Sequence, residues 1–406
     1  ELLLITFIIY SIVTIIWTID FSFALKKVFE IILFFICFRV LLCSSYNLSY
    51  KATILKALTY SFFLTTLLIL IDVYFVLGIK PWLSINFDNI FNPPENGQRF
   101  VNYFDFKYNF GKGMSAGSYN RALATLSIFS FIVIAANYKN RFLVSSLAML
   151  LILTILLGES ITAKLALVLS GLVALTLLIK RNIIAKILVV LLSSYLIFIP
   201  VIIKYSKKEN WTEARRINYE NLYKVTRNIE IQQIAQPEKI NYILFLKKYY
   251  YISFIRFDHR FAIWNYTAEK IFEEFLFGHG LFSSKKLGDK DKLSLTEYNI
   301  DYKTTKIRYY PAIPLHPHNN ALQIWLELGF FGILLFTLLL NSLFKKVLSF
   351  NSNNKISNCL VVGSFFCIII INQSSFGFWQ FWWLASISYW VIFVNILNTN
   401  IKPLKK

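Results

Sequence analysis

The feature that most constrains this chain is the recurrence of apolar stretches long enough to cross a lipid bilayer. They lie near 2–19, 28–43, 53–78, 119–137, 142–158, 162–179, 183–203, 319–344, 357–373 and 378–397, and few charges interrupt them. A spanning helix needs about 20 such residues. In lipid a segment must satisfy its own backbone polar groups, and for a continuous apolar run the helix is the way to do so. The sequence therefore predicts an all-α polytopic membrane protein, a helical bundle with about ten visible spans. The chain opens at Glu1, already within an apolar stretch. The N-terminus accordingly reads as truncated by one or two helices, for a total of up to twelve, and no signal peptide is visible.

Composition agrees with a lipid environment. The 406 residues are 56% hydrophobic and only 16% charged, too few charges to cover a soluble surface of this size. The net charge of +20 does not indicate a nucleic-acid partner here, because the chain needs lipid as its solvent. Cytoplasmic anchoring and anionic lipid or phosphate ligands account for it better. Cys37, Cys43, Cys359 and Cys367 lie in or beside apolar segments without a CxxC pair and read as small core residues.

The short connections orient the spans. With the N-terminus in the cytoplasm, the inner connections hold Lys51 and Lys56, Lys139 and Arg141, Lys180, Arg181 and Lys186, and Lys345, Lys346 and Lys355. The tail adds Lys402, Lys405 and Lys406, and only Lys26 and Lys27 run against the pattern. This is the positive-inside distribution, and it puts two long segments outside, 79–118 and 204–317. The resulting organisation is an N-terminal bundle over 1–203 with the outer loop 79–118, a large periplasmic loop over 204–317 with amphipathic helices, and C-terminal spans with a cytoplasmic tail over 318–406. The polar stretch 285–310 reads as a mobile lid.

Polar residues from four parts of the chain converge on the outer face in this topology. Arg121 opens one span and Lys164 another. Arg256, Arg260 and Trp264 are spaced by four and share one helical face in the large loop. His316, His318 and Asn319 stand where the loop meets the next span. Ionisable groups near membrane depth are candidates for function. For Arg121 and Lys164 the competing readings are snorkelling to the interface and, for Lys164, an ion pair with Glu159. For Arg256 and Arg260 the competing reading is attraction of a surface-lying helix to lipid headgroups, against a bidentate grip on phosphate.

The segment His316-Pro317-His318-Asn319 carries the strongest signal. Pro317 fits the first turn of a helix. The positive end of that helix disfavours an imidazolium and suits a neutral His318 base, although a capping histidine is the plainer alternative. Asn319, Gln323 and Glu327 continue as a polar stripe at spacing four, which must face protein or water, and Gly329 and Gly332 permit close helix packing. No P-loop, dinucleotide fingerprint or HExxH occurs. Asp289-Lys290-Asp291 spells a DxD, but the flanking lysines oppose a hard cation, so no metal site and no cofactor are expected.

At these residues the sequence resembles the O-antigen ligase and polymerase superfamily. The family's His-Asn pair, nine residues and Gly read here as His318-Asn319, NALQIWLEL and Gly329. The upstream segment resembles the family's Arg-Trp helix ending in a Gly-x-Gly turn, here Arg260, Trp264, Gly278 and Gly280. The span beginning SITAKLALVL is similar to one that usually reads Ser-Arg or Thr-Arg, with Lys164 as a departure. The likeness covers roughly 120–345. It implies a GT-C-like glycosyltransferase of the bacterial inner membrane with its site facing the periplasm. Such an enzyme moves a glycan from undecaprenyl diphosphate to an acceptor hydroxyl, without a metal and with inversion. His318 would be the base, Arg260 the catalytic cation, and Arg121, Lys164, Arg256, His316, Asn319 and Trp264 would bind substrate.

Lipid A-core is the expected acceptor for a ligase. The alternatives are a polymerase that joins glycan repeats, a protein O-oligosaccharyltransferase, and, from a different class, a polysaccharide flippase or transporter. A transporter should carry broken or charged mid-membrane helices in related halves. The few mid-membrane charges, the lack of an evident repeat and the large outer loop favour an enzyme.

Overall fold

The computed structural model describes residues 2–46, 50–74, 117–157, 160–206, 220–221, 224–225, 228, 259–298, 305–350 and 354–398. Most of the expected outer segment 79–118 and most of 204–258, with Arg256, lie outside the described residues.

Each of the ten apolar stretches is helical over most of its described residues. In chain order the helices are α1 (Leu2–Val13), continued by a 3-10 turn Thr14–Trp17, α2 (Phe21–Tyr46), α3 (Lys51–Tyr74), α4 (Gly117–Asn137), α5 (Arg141–Leu157) and α6 (Ile161–Lys204). They continue with α7 over 259–273, α8 (Ser283–Lys290), α9 (Asn320–Leu348), α10 (Lys355–Asn372) and α11 (Phe381–Leu397). Among the described residues six helices, α2, α3, α4, α6, α9 and α10, are long and apolar enough to cross a membrane. The chain is an all-α polytopic membrane protein in its architecture. Two expected spans, 162–179 and 183–203, are the halves of α6, whose helix breaks at Lys180 (φ −134°, ψ 71°).

Short polar side chains set the helix starts. Asp20 Oδ1 accepts from the Phe23 N–H, Asn140 Oδ1 from Leu143, Asn319 Oδ1 from Leu322 and Asn354 Oδ1 from Ile356. Each satisfies an amide that the first helical turn leaves without a partner.

The chain forms two compact units. The first comprises Glu1–Phe34, Ile187–Ser342 and Asn372–Gln380. Its core sets Phe7 against Phe336, Phe378 and Trp379, and it is pinned by Trp325 Nε1 to the Leu196 carbonyl at 2.9 Å and Asn341 to Ser193 at 3.0 Å. The second comprises Phe35–Lys186, Leu343–Ile371 and Phe381–Lys406. There Phe344 packs on Phe365 and Phe366, and Gly363 lets Phe131 and Ala174 approach. Polar pairs such as Asn137–Thr59, Trp390–Ser364 and Asn395–Ser45, each at 2.8 Å, join helices that have no hydrophobic reason to associate in lipid.

The polar stretch 285–310, expected as a lid, is regular at both ends. It contains α8 and an antiparallel hairpin, β1 (Lys292–Tyr298) with β2 (Thr305–Pro311), paired from Lys292↔Pro311 to Tyr298↔Thr305. Leu293 and Leu295 in β1, and Ile307 and Tyr309 in β2, alternate with polar residues in the period-2 strand pattern, a signal overshadowed by the polar composition of the stretch as a whole.

Candidate active site

The site belongs to the first unit and is built on an interruption of α9. Gly329 has φ 65° and ψ −163°, a conformation that breaks the helix and suits only glycine. The chain over 275–280 fills the break. Phe330 N–H donates to the Phe275 carbonyl at 2.9 Å, while His279 and Gly280 N–H donate to the Leu326 and Glu327 carbonyls at 2.9 Å. Gly278 and Gly280 also have positive φ. The Gly-x-Gly turn and the distant Gly329 are thus two sides of one backbone crossing. Gly329, expected to allow helix packing, instead opens the helix. The N-terminal helix region clamps the crossing: Tyr10 donates to the Leu328 carbonyl, Trp17 Nε1 to Gly278 and Thr18 to Leu281.

The histidine segment precedes α9 rather than lying in its first turn. Asn319 caps the helix, so Pro317 and His318 remain outside it. The proline signal marks the start three residues early because Asn319 is the better cap. His318 takes φ 57°, a left-handed conformation that costs a non-glycine residue about 1–3 kcal/mol and clusters at functional sites. Its Nδ1 lies 2.8 Å from the Ser375 carbonyl oxygen. A carbonyl only accepts, so Nδ1 carries the proton and Nε2 keeps its lone pair.

His316 Nδ1 accepts the His318 N–H at 3.1 Å, and its Nε2 meets the Gln380 side-chain amide at 3.2 Å. Nδ1 must then be unprotonated and Nε2–H must donate. The amide oxygen of Gln380, otherwise buried without a bond, is its natural acceptor once the amide is turned over.

Helix α7 brings two further groups to this segment. Trp264 Nε1 donates to the Pro317 carbonyl at 2.8 Å, and one turn earlier the Arg260 guanidinium donates to the Ser374 carbonyl. The pair spaced by four thus grips the two peptide segments that carry His318 and its acceptor. Most of α7 is enclosed by protein, with Phe261, Ile263, Trp264, Tyr266, Ala268 and Ile271 all buried. Its exposed edge holds Glu269 and Glu273, where Lys270 pairs with Glu273 at 2.9 Å.

Burial pushes His318 down to about 4, assisted by the charges of Arg260 and His259, although the bond to Ser375 opposes the shift. Burial also pushes His316 down to about 3, followed by the charges of His318 and Arg260. Both imidazoles are therefore neutral at physiological pH. The arrangement offers a proton-accepting nitrogen with a fixed tautomer beside a guanidinium.

The polar stripe of α9 is fully used. Asn319 donates to the Tyr195 hydroxyl at 2.9 Å. Gln323 accepts the Phe378 N–H at 2.9 Å and donates to Glu327 at 3.1 Å. Glu327, only 1% exposed, also accepts from the Phe282 N–H at 3.1 Å, from Trp379 Nε1 at 2.9 Å and from Ser284. Its carboxylate ties the 281–284 turn and the 372–380 connection to the helix.

Arg121 and Lys164 belong to the second unit. The Arg121 guanidinium lies over the Trp382 ring, 5.4 Å from its centroid. Glu159, considered as a partner for Lys164, lies outside the described residues. Of the DxD pair, Asp291 accepts from the Tyr266 hydroxyl at 2.6 Å and faces Lys270 at 4.0 Å, while Asp289 is exposed. The Asp291 carboxylate and burial together raise the Tyr266 phenol, with burial the larger cause.

Sequence reasoning missed the backbone of Ser374 and Ser375, together with Gly377, Gln380, Tyr195 and His259. The 372–380 connection holds no basic residue, and a carbonyl acceptor leaves no mark on residue identity. Gln373, Gly377 and Gln380, polar or small between two apolar helices, were the available signal.

Comparison with known proteins follows the same residues. Residues 146–337 match the family described as O-antigen ligase. A Rickettsia prowazekii protein is 28% identical over 303 residues, covering 73% of this chain and 61% of its own length. Proteins of Rickettsia conorii and Rickettsia bellii are each 39% identical over 36% of this chain and 32% of their own lengths. All three carry the name "Putative polysaccharide ligase". The chain thus spans less than two thirds of each relative. No solved structure matches it. The matched region runs from α5 into α9, and over it the chain is similar to the O-antigen ligase family, with one relative of like designation aligned along most of its length.

Proposed function

We propose that this protein is a ligase-type glycosyltransferase that moves a glycan from undecaprenyl diphosphate to a hydroxyl of lipid A-core at the periplasmic face of the inner membrane. The observation that carries this reading is the bond from His318 Nδ1–H to the Ser375 carbonyl, which leaves Nε2 as the base while Arg260 is held on the adjacent Ser374. The acceptor oxygen attacks the anomeric carbon and forms the glycosidic bond as its proton passes to His318 Nε2. The bond from that carbon to the phosphate oxygen breaks, and its electron pair leaves with the lipid diphosphate. Arg260 meets the charge that develops there, so the chemistry needs no metal ion. The bound diphosphate also raises the proton affinity of His318 when the base is needed, since a nearby anion favours imidazolium.

The test is single-turnover transfer by the purified full chain in lipid nanodiscs. The assay contains undecaprenyl diphosphate-linked glycan, lipid A-core and EDTA. The expected products are glycan-bearing lipid A-core and free undecaprenyl diphosphate. Longer carrier-linked chains with untouched lipid A-core would make the protein a polymerase. Absence of transfer to either acceptor overturns the reading.

A further inference from the structure

We infer that His316 is a positioning residue that fixes His318 in its left-handed conformation and has no contact with substrate. The inference rests on the reading of His318 as the base. His316 is only 6% exposed, and both of its ring nitrogens are engaged within the protein. Nδ1 takes the His318 N–H and Nε2 reaches Gln380, so no ring nitrogen remains for a sugar or phosphate.

The geometry is that of a familiar turn made by an unfamiliar residue. Asn and Asp often accept the N–H two residues ahead and hold the chain in a tight bend. His316 Nδ1 does the same to His318. Pro317 between them has its φ fixed and no N–H to compete. The bend leaves His318 at φ 57° with its ring 4.4 Å, centroid to centroid, from that of His316.

One connection seats both rings. Gly377 faces His316 so closely that a Cβ there would come within 2.8 Å of the ring Cγ and Cδ2. Gln380 anchors the far nitrogen, and Ser375 supplies the carbonyl that orders the His318 tautomer. The order of dependence runs from Gln380 to His316, to the His318 amide, to the base. Only a neutral His316 fits, because a proton on Nδ1 would face the His318 N–H.

The chain has four histidines, so ¹⁵N-histidine NMR of the full chain in nanodiscs resolves few rings. The wild type should show an Nδ1–H tautomer at His318 and an Nε2–H tautomer at His316. His316→Asn puts an oxygen acceptor where Nδ1 stood. It should keep the His318 signature and transfer from undecaprenyl diphosphate-linked glycan within about threefold of wild type. His316→Leu keeps bulk without an acceptor. It should average the His318 tautomers and slow transfer about a hundredfold, the scale of a lost general base.

Leu retaining both signature and rate, or Asn losing both as fully as Leu, overturns the inference. If Leu does not fold, Gln380→Met carries the decision, because it frees the far side of the ring. An unchanged signature and rate in that variant overturn the clamp. If no protein transfers glycan, wild type included, yet the His318 signature follows the Asn and Leu order, the functional reading fails and the positioning role stands.

Discussion

Gly278 and Gly329 face each other backbone to backbone: a Cβ on Gly278 would lie 2.6 Å from the Gly329 nitrogen, and one on Gly329 would lie 2.5 Å from the Gly278 nitrogen. Both have positive φ, so a side chain at either place adds strain to collision. Gly329→Ala should cost about 1–3 kcal/mol from backbone conformation alone, with overpacking in addition. Gly278→Ala should behave alike, whereas Gly171→Ala, inside α6 with open space around it, should instead stabilise by about 0.5–1 kcal/mol. Thermal midpoints of the detergent-extracted variants check this, and a Gly329→Ala midpoint equal to wild type contradicts the crossing.

His318→Asn is a sharper test of the base than alanine. Asparagine tolerates the left-handed conformation, and its amide can still donate to the Ser375 carbonyl, but nothing replaces Nε2. Transfer should fall by at least about a hundredfold with folding intact. A loss confined to donor binding, with single-turnover chemistry unchanged at saturation, would make His318 a phosphate ligand instead.

Arg260 holds the Ser374 carbonyl, and in the proposed mechanism it also meets the leaving group. Lysine keeps the charge but loses the planar fork, so Arg260→Lys should lower the rate at saturating donor about tenfold or more, and Arg260→Gln further. Trp264→Phe removes the bond to Pro317 and some buried ring volume but no charge, and should have a milder effect. If Arg260→Gln transfers normally, the guanidinium serves the fold alone.

The acid limb of kcat/KM should lie low. The proposed mechanism requires neutral His318 in the free enzyme, and burial takes its pKa from 6.5 down to about 4. The base is then unprotonated throughout the range above pH 5, and kcat/KM should stay flat from pH 7.5 to about 5 before falling. A decline centred near pH 6.5 would mean that the ring is not shielded from water.

Much of the fold was legible because lipid enforces it: an apolar run without a solvent for its amides must be a helix. The site was legible where residue type carries the chemistry. His318, Arg260 and Trp264 are brought to one place, and the spacing of four between Arg260 and Trp264 is what lets both reach the same loops. The Gly329 break was hidden because a glycine in an apolar helix has the same composition whether it packs or opens. The clamp on His318 was hidden for another reason. Its ring is held by the Ser375 carbonyl, and any residue supplies a carbonyl.

The broken helix also imposes an order on biogenesis. The break lies nine residues into α9, roughly 13 Å along its axis. Within lipid, amides and carbonyls cannot be left there unmatched, since each costs several kcal/mol. The bend is therefore sustainable only after the earlier-translated 275–280 segment has returned to receive it. Until then α9 has reason to remain straight, and the residues ahead of it lack their final setting. The crossing and the setting of the histidine segment ahead of α9 are therefore expected to form together.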